Sequence, residues 1–229
     1  MTVTEIAPKV HEIPLLRVKV HAIVEDDGVT LVDSGHARSP RGIERALARM
    51  DIPLDRVSRV VCTHGHPDHA GGARAFADRG IEVLIHPDDA AQLDIGVRDA
   101  IRKPSRGRIF AAMTPPLASF RPIVDGDVVP VLGGLEVVHT PGHTAGSVCL
   151  YARRDRLLFV GDTLQRRFGR VSFASTLYSD DAHMARASVQ RLAELDVKTI
   201  VFSHFPPLTE RAAETIADLA SVARHTAGR

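Results

Sequence analysis

Residues 60–72 read Val60-Val61-Cys62-Thr63-His64-Gly65-His66-Pro67-Asp68-His69-Ala70-Gly71-Gly72, placing three histidines and one aspartate within six positions directly after an apolar run. His64 and His66 stand two apart at the end of an extended segment, so both side chains project the same way and can grip one ion. Asp68 and His69 follow where a helical pattern begins and can turn toward a second point. Imidazole and carboxylate donors suit zinc first, with iron or manganese as alternatives. Six residues cannot close two coordination spheres. The reading therefore demands further ligands downstream, each on a loop at a strand end.

The chain supplies them. His143 stands in Thr140-Pro141-Gly142-His143-Thr144 after the apolar run Leu135–His139. Asp162 stands in Val160-Gly161-Asp162-Thr163 after Leu157–Val160, and His204 in Phe202-Ser203-His204-Phe205 after Thr199–Phe202. Four ligand-bearing loops each follow a strand-like run, and a sandwich whose strands end along one edge would gather them.

Working outward, further apolar, β-branched runs at Val18–Val24, Val29–Val32, Val57–Cys62, Glu82–His86, Val128–Val131 and Val148–Tyr151 read as strands. Helical patterns fall at Pro40–Met50, with Ser39 as N-cap, and at Ala70–Arg79, His183–Leu195 and Leu208–Ala223. Runs of strands followed by helices, twice over, predict two packed sheets with helices outside, built from two β-rich halves that meet near residues 100–120. Two segments resist assignment and read as long irregular covers: 96–121, with six basic residues and three prolines, and 163–179, which mixes arginines with aromatics.

The bulk numbers narrow the partners. A chain of 229 residues that is 44% hydrophobic can build a proper core. Twenty-nine basic against 28 acidic residues leave a formal charge of +1, so no global field recommends nucleic acid or a membrane surface. No run approaches the ~20 apolar residues of a membrane span, and the N-terminal stretch lacks the pattern of a secretory signal, so a cytoplasmic location is expected. Cys62 and Cys149, far apart and each in an apolar run, read as buried reduced thiols.

The six-residue motif His64-Gly65-His66-Pro67-Asp68-His69, the early Leu31-Val32-Asp33-Ser34-Gly35 turn, the Pro-Gly-His loop, the Gly-Asp loop and the late His204 together resemble the metallo-β-lactamase superfamily over nearly the whole chain. The resemblance implies a single domain over 1–229, an α+β four-layer αββα sandwich with a metal site at one edge of its two sheets. Carried over position by position, it implies His64, His66 and His143 on a first divalent ion, Asp68, His69 and His204 on a second, and Asp162 bridging them. The last loop departs slightly: Ser203 and Phe205 flank His204 where many relatives have glycines. Asp33 fits a structural role, its carboxylate tying the turn or a neighbouring ligand.

Two divalent ions roughly 3.5–4 Å apart lower the pKa of a shared water toward ~7 and yield a hydroxide nucleophile. Counting their charge against Asp68, Asp162 and the hydroxide leaves about one net positive charge to stabilise an oxyanion. The expected activity is thus a dinuclear metallohydrolase cleaving an ester, lactone or thioester of a small molecule, with Asp68 as catalytic residue. Secreted β-lactamases generally lack the equivalent of Asp162. Glyoxalase II relatives carry a glutathione-binding helical region, whereas 25 residues follow His204 here. Quorum-quenching lactonases place a tyrosine where this chain has Gln165. The alternative from another class is a persulfide dioxygenase, an oxidoreductase using one iron on the equivalents of His64, His143 and Asp162. Selectivity is expected from the irregular segments, with Phe110, Phe168, Phe173 and Tyr178 forming an apolar cleft and Arg102, Lys103, Arg166 and Arg167 receiving an anionic tail. The substrate-binding set is Arg166, Arg167, Phe168, Phe173 and Tyr178.

Overall fold

The computed structural model describes residues 2–93 and 114–227. The described residues divide into two compact units, the first running as far as Ile123 and the second from Val124 onward. The break falls just past residues 100–120, where the order of strands placed the junction. Of the expected cover 96–121, everything up to residue 113 lies outside the described residues, including Arg102, Lys103 and Phe110.

In the first unit the strands β1 (Thr4–Ala7), β2 (Val10–Pro14), β3 (Lys19–Glu25), β4 (Gly28–Val32), β5 (Val57–Val61), β6 (Glu82–Ile85) and β7 (Arg121–Pro122) lie in sequence order in one mixed sheet. The first four pair antiparallel, and β4 to β7 pair parallel. Parallel neighbours need crossovers, and helices α1 (Pro40–Ala48) and α2 (Ala73–Ala77) supply them; α3 (Pro87–Leu93) follows β6 directly. Helix α1 buries Ile43, Ala46 and Leu47 at helical spacing against a core that also holds Leu31, Val60, Phe76 and Ile85. Burial of a side chain such as Phe76, 0% exposed, stabilises by about 1.5–3 kcal/mol. Ser39 does not cap α1 with its side chain; the helix is entered through Pro40, whose fixed φ suits a first turn.

Helix α2 is shorter than the pattern over 70–79 predicts. Asp68 and His69 stand in a turn, and the helix starts only at Ala73. The cause is a close tertiary approach: Gly72 N–H reaches Gly35 O at 2.9 Å, and a Cβ on Gly71 would lie 2.1 Å from Pro67 O and 2.9 Å from Ala37 N. The glycines are used to draw the motif against the Asp33-Ser34-Gly35 turn rather than to wind a helix.

In the second unit β8 (Val128–Val129), β9 (Leu135–His139), β10 (Val148–Ala152), β11 (Leu157–Phe159) and β14 (Thr199–Val201) form a mixed sheet of order β14-β11-β10-β9-β8, parallel only between β11 and β14. Helices α4 (Ala182–Leu192) and α5 (Ala212–Ala227) pack on each other and on a core of Tyr151, Leu158, Ile200 and Phe202. Asp181 caps α4, accepting from His183 N–H and Met184 N–H at 2.9 and 2.8 Å.

The segment 163–179 is not irregular throughout. It contains an antiparallel hairpin of β12 (Leu164–Arg167) and β13 (Arg170–Phe173). Phe168 and Gly169 form its two-residue turn with φ of 50° and 78°, the left-handed pair that matches the twist of adjoining strands. Arginines at strand positions conceal the apolar alternation that would have marked the hairpin. Among the described residues no helix is long and apolar enough to cross a membrane.

Candidate metal centre

The first unit holds four of the expected ligands. Strand β5 ends at Val61, and Cys62 N–H bonds Leu84 O, so the motif leaves the sheet at the carboxyl end of a parallel strand, where backbone turns away and side chains are free to converge. The rings of His64 and His66 meet edge to face with centroids 4.8 Å apart, and His64 lies 3.9 Å from the ring of His69. All three histidines are buried, and Asp68 is partly exposed beside them, its Oδ2 3.8 Å from His69 Nε2.

Asp33 organises this cluster. Its Oδ1 accepts Thr63 N–H at 2.8 Å, and the Thr63 hydroxyl donates to the same carboxylate at 2.9 Å. Its Oδ2 accepts His69 Nδ1–H at 2.8 Å. That bond places a proton of His69 on Nδ1, so in the neutral ring Nε2 carries the lone pair. The Thr63 hydroxyl has one proton and spends it on Asp33. It therefore accepts from His64 Nδ1–H at 3.2 Å, which assigns the same tautomer to His64. The left-handed φ of Asp33, 65°, and the Ser34 hydroxyl donating to His69 O at 2.7 Å hold the turn in register with the motif.

The second unit gathers the other three. Asp162 sends Oδ2 toward His143 Nε2 at 3.5 Å and Oδ1 toward His204 Nε2 at 3.2 Å, one oxygen for each imidazole. The loops carrying His143 and Asp162 are joined by a 2.9 Å hydrogen bond between the Thr140 and Thr163 hydroxyls. Ser179 donates its proton to Ser175 O at 2.8 Å, so at 3.3 Å it accepts from His143 Nδ1–H and leaves the lone pair on Nε2. The backbone of the His143 loop is clasped from outside: Asp180 N–H bonds His143 O, Asp181 N–H bonds Gly142 O, and the Ser188 hydroxyl bonds Pro141 O at 2.7 Å. Gly142 has φ 127°, and a Cβ there would lie 2.1 Å from Ala185 N.

These tautomers test whether a metal fits. In each unit an imidazole nitrogen bearing a lone pair faces a carboxylate oxygen, His69 facing Asp68 and His143 facing Asp162. Two acceptors facing each other repel, and either a second proton on the imidazole or a cation held by both groups removes the conflict. Imidazole nitrogen with carboxylate oxygen is also a donor set for zinc, iron or manganese, and these side chains are of the kind that could hold an ion.

The residues expected to bind substrate are spread along and beyond the hairpin. Phe168 is 98% exposed at its turn, whereas Phe173 lies at the opposite end, opposite Leu164, packed against the core with the Arg186 guanidinium 5.4 Å from its ring centre. Arg166 pairs across to Val171, and Arg167 to Arg170. Tyr178 is 43% exposed on the segment after the hairpin. The hairpin thus parts Phe168 from Phe173. Residue patterns had not indicated Ser179 or the Asp181 cap; Asp181 stands directly before a helical run and was readable as a cap, while nothing local marks Ser179.

Comparison with known proteins gives the fold and the family. A metallo-β-lactamase family protein from Thermus thermophilus superposes with a TM-score of 0.75 at 23% identity, over 97% of this chain and 81% of that one, which shows the α+β sandwich fold. The model of the metallo-β-lactamase superfamily matches residues 14–204, and the chain belongs to that superfamily. Among curated relatives it is 38% identical to the acyl-coenzyme A thioesterase MBLAC2 of Gallus gallus over 131 residues, 52% of this chain, and 26% identical to the probable metallo-hydrolase YqjP of Bacillus subtilis over 215 residues, 82% of this chain and 67% of that protein. The chain spans 46% and 57% of the lengths of the Gallus gallus and Bos taurus thioesterases.

Proposed function

We propose that this hydrolase acts on thioesters, with small-molecule esters and lactones in the same reaction class, through two divalent ions, zinc first. His64, His66 and His143 would hold one ion, Asp68, His69 and His204 the other, and Asp162 both, within one metallo-β-lactamase-like domain over 1–229. The observation that carries the reading is Asp162, whose two oxygens each face a different histidine, an arrangement that suits a carboxylate shared by two ions. A single family model running through both units supports the one-domain reading. The thioester preference is supported by the thioesterase relatives.

Bound there, divalent ions would supply Lewis acidity and bring the pKa of a water toward neutrality. The protein's own groups do the rest. Asp33 keeps His69 in the tautomer that ligates through Nε2, and Ser179 does the same for His143. Asp68 is the catalytic residue: its partly exposed Oδ2, beside His69 Nε2, orients the attacking water and takes its proton. Water adds to the thioester carbonyl, the carbon–sulfur bond breaks, and the thiol leaves with that proton. Arg166 and Arg167 would receive an anionic tail of the substrate, and Phe168 and Tyr178 its apolar part, with Phe173 packed against the core at the far end of the hairpin. A cytoplasmic setting is in keeping with Cys62 and Cys149, both buried and neither in a disulfide.

The test uses the full chain purified without added metal, its elemental content measured, and a series of acyl-coenzyme A thioesters followed by thiol release. Turnover that a chelator removes and zinc or manganese restores is expected. A protein that holds one iron, consumes oxygen with glutathione persulfide and releases no thiol would replace this reading with the dioxygenase.

A further inference from the structure

Gly65 separates His64 from His66, and both peptide planes beside it are held by side chains from elsewhere in the first unit. Its N–H, which belongs to the His64–Gly65 peptide, donates to Asp89 Oδ2 at 2.7 Å. Its carbonyl, which belongs to the Gly65–His66 peptide, accepts the Thr114 hydroxyl at 2.9 Å. Asp89 is 0% exposed and Thr114 2% exposed. The loop lies directly on α3: a Cβ on Gly65 would stand 3.4 Å from Asp89 Cβ and 3.4 Å from Leu93 Cδ2.

We infer that Asp89 and Thr114 are positioning residues for the His64–His66 ligand pair, clamping the glycine between them so that both imidazoles are aimed before an ion arrives. The inference rests on the metal-site reading above and concerns what sets its geometry. A residue without a side chain has the freest backbone, and rotation of either peptide plane at Gly65 would swing one histidine Cβ away from the other. A carboxylate accepting a backbone N–H in a buried site is a strong anchor, about twice a neutral bond. Neither residue is one of the seven expected ligands. They act through the backbone, in the way that outer hydrogen bonds orient ligands elsewhere. The motif alone cannot reveal this, because Asp89 is 24 residues and Thr114 49 residues from Gly65.

The experiment measures cobalt and zinc affinity by chelator competition, with the cobalt absorption spectrum, in wild type, Thr114→Val, Thr114→Ser, Asp89→Ala and Asp89→Asn. Thermal melting of each metal-free protein is recorded alongside. The valine and alanine variants are expected to lose about tenfold or more in affinity for the tighter ion and to shift the cobalt spectrum. Serine, which keeps the donor, and asparagine, which keeps an acceptor, are expected to recover most of it. Wild-type affinity and spectrum in Thr114→Val and Asp89→Ala would overturn the clamp while leaving the metal site standing. So would losses that serine and asparagine do not recover, since that pattern marks a general packing defect. Wild type that binds neither cobalt nor zinc would remove the metal-site reading and the clamp with it.

Discussion

Asp33 Oδ2 accepts the Nδ1 proton of His69 at 2.8 Å, across 36 residues of chain, and so decides which nitrogen of that histidine faces Asp68. The first prediction tests it. Asp33→Asn tolerates the left-handed φ at this position and keeps one acceptor, but it removes the charge that favours the Nδ1 proton. Zinc affinity should fall about tenfold or more with the metal-free fold retained. Unchanged affinity in chelator competition would mean that the carboxylate serves the turn alone.

Asp68→Ala should abolish thioester turnover and leave the circular dichroism spectrum intact, because the partly exposed carboxylate stands in a turn outside the packed sheet. Residual turnover above about a tenth of wild type corresponds to less than ~1.4 kcal/mol of lost transition-state stabilisation, too little for the catalytic role.

Gly142→Ala tests the clasp on the His143 loop. The φ of 127° and a Cβ 2.1 Å from Ala185 N force the loop and the start of α4 apart. A destabilisation on the order of 3 kcal/mol, read from urea midpoints, is expected. A midpoint equal to wild type would show that α4 yields without cost.

His21, buried in β3, has its pKa lowered by desolvation from 6.5 to about 4. Asp33 opposes that shift and Lys19 adds to it. The folded state therefore binds fewer protons than the unfolded state between those values, so stability is fully present above about pH 6.5 and is lost as pH falls toward 4. The loss from this one group is on the order of 3 kcal/mol. Urea midpoints measured from pH 7 to 4 should fall less steeply in His21→Gln; parallel slopes would mean that burial of His21 is not what makes the fold acid-sensitive.

The double variant Arg166→Ala/Arg167→Ala should narrow the preference for coenzyme A thioesters over thioesters without phosphate and flatten the salt dependence of KM. A preference and salt response identical to wild type would move anion recognition away from the hairpin.

Residues near in sequence determined a large part of this protein. Alternating and continuous apolar runs located β3 to β6, β9 to β11 and β14, and with them the strand ends from which the loops of His64, His143, Asp162 and His204 depart. That much is legible because periodicity and strand-end chemistry are local. The tertiary structure decided the rest. Asp33 on His69, Ser179 on His143, and Asp89 with Thr114 on Gly65 join positions 24 to 49 residues apart, and a polar residue looks the same in sequence whether it meets solvent or a ligand's ring or backbone. Helix α2 is shorter than its pattern because Gly71 and Gly72 serve close backbone approach to the Asp33 turn, and the β12–β13 hairpin is hidden in the sequence because its strands carry arginines where an apolar face would announce them. Local propensity selects the elements, but only their packing selects which tautomer each histidine adopts and which side chain holds it there.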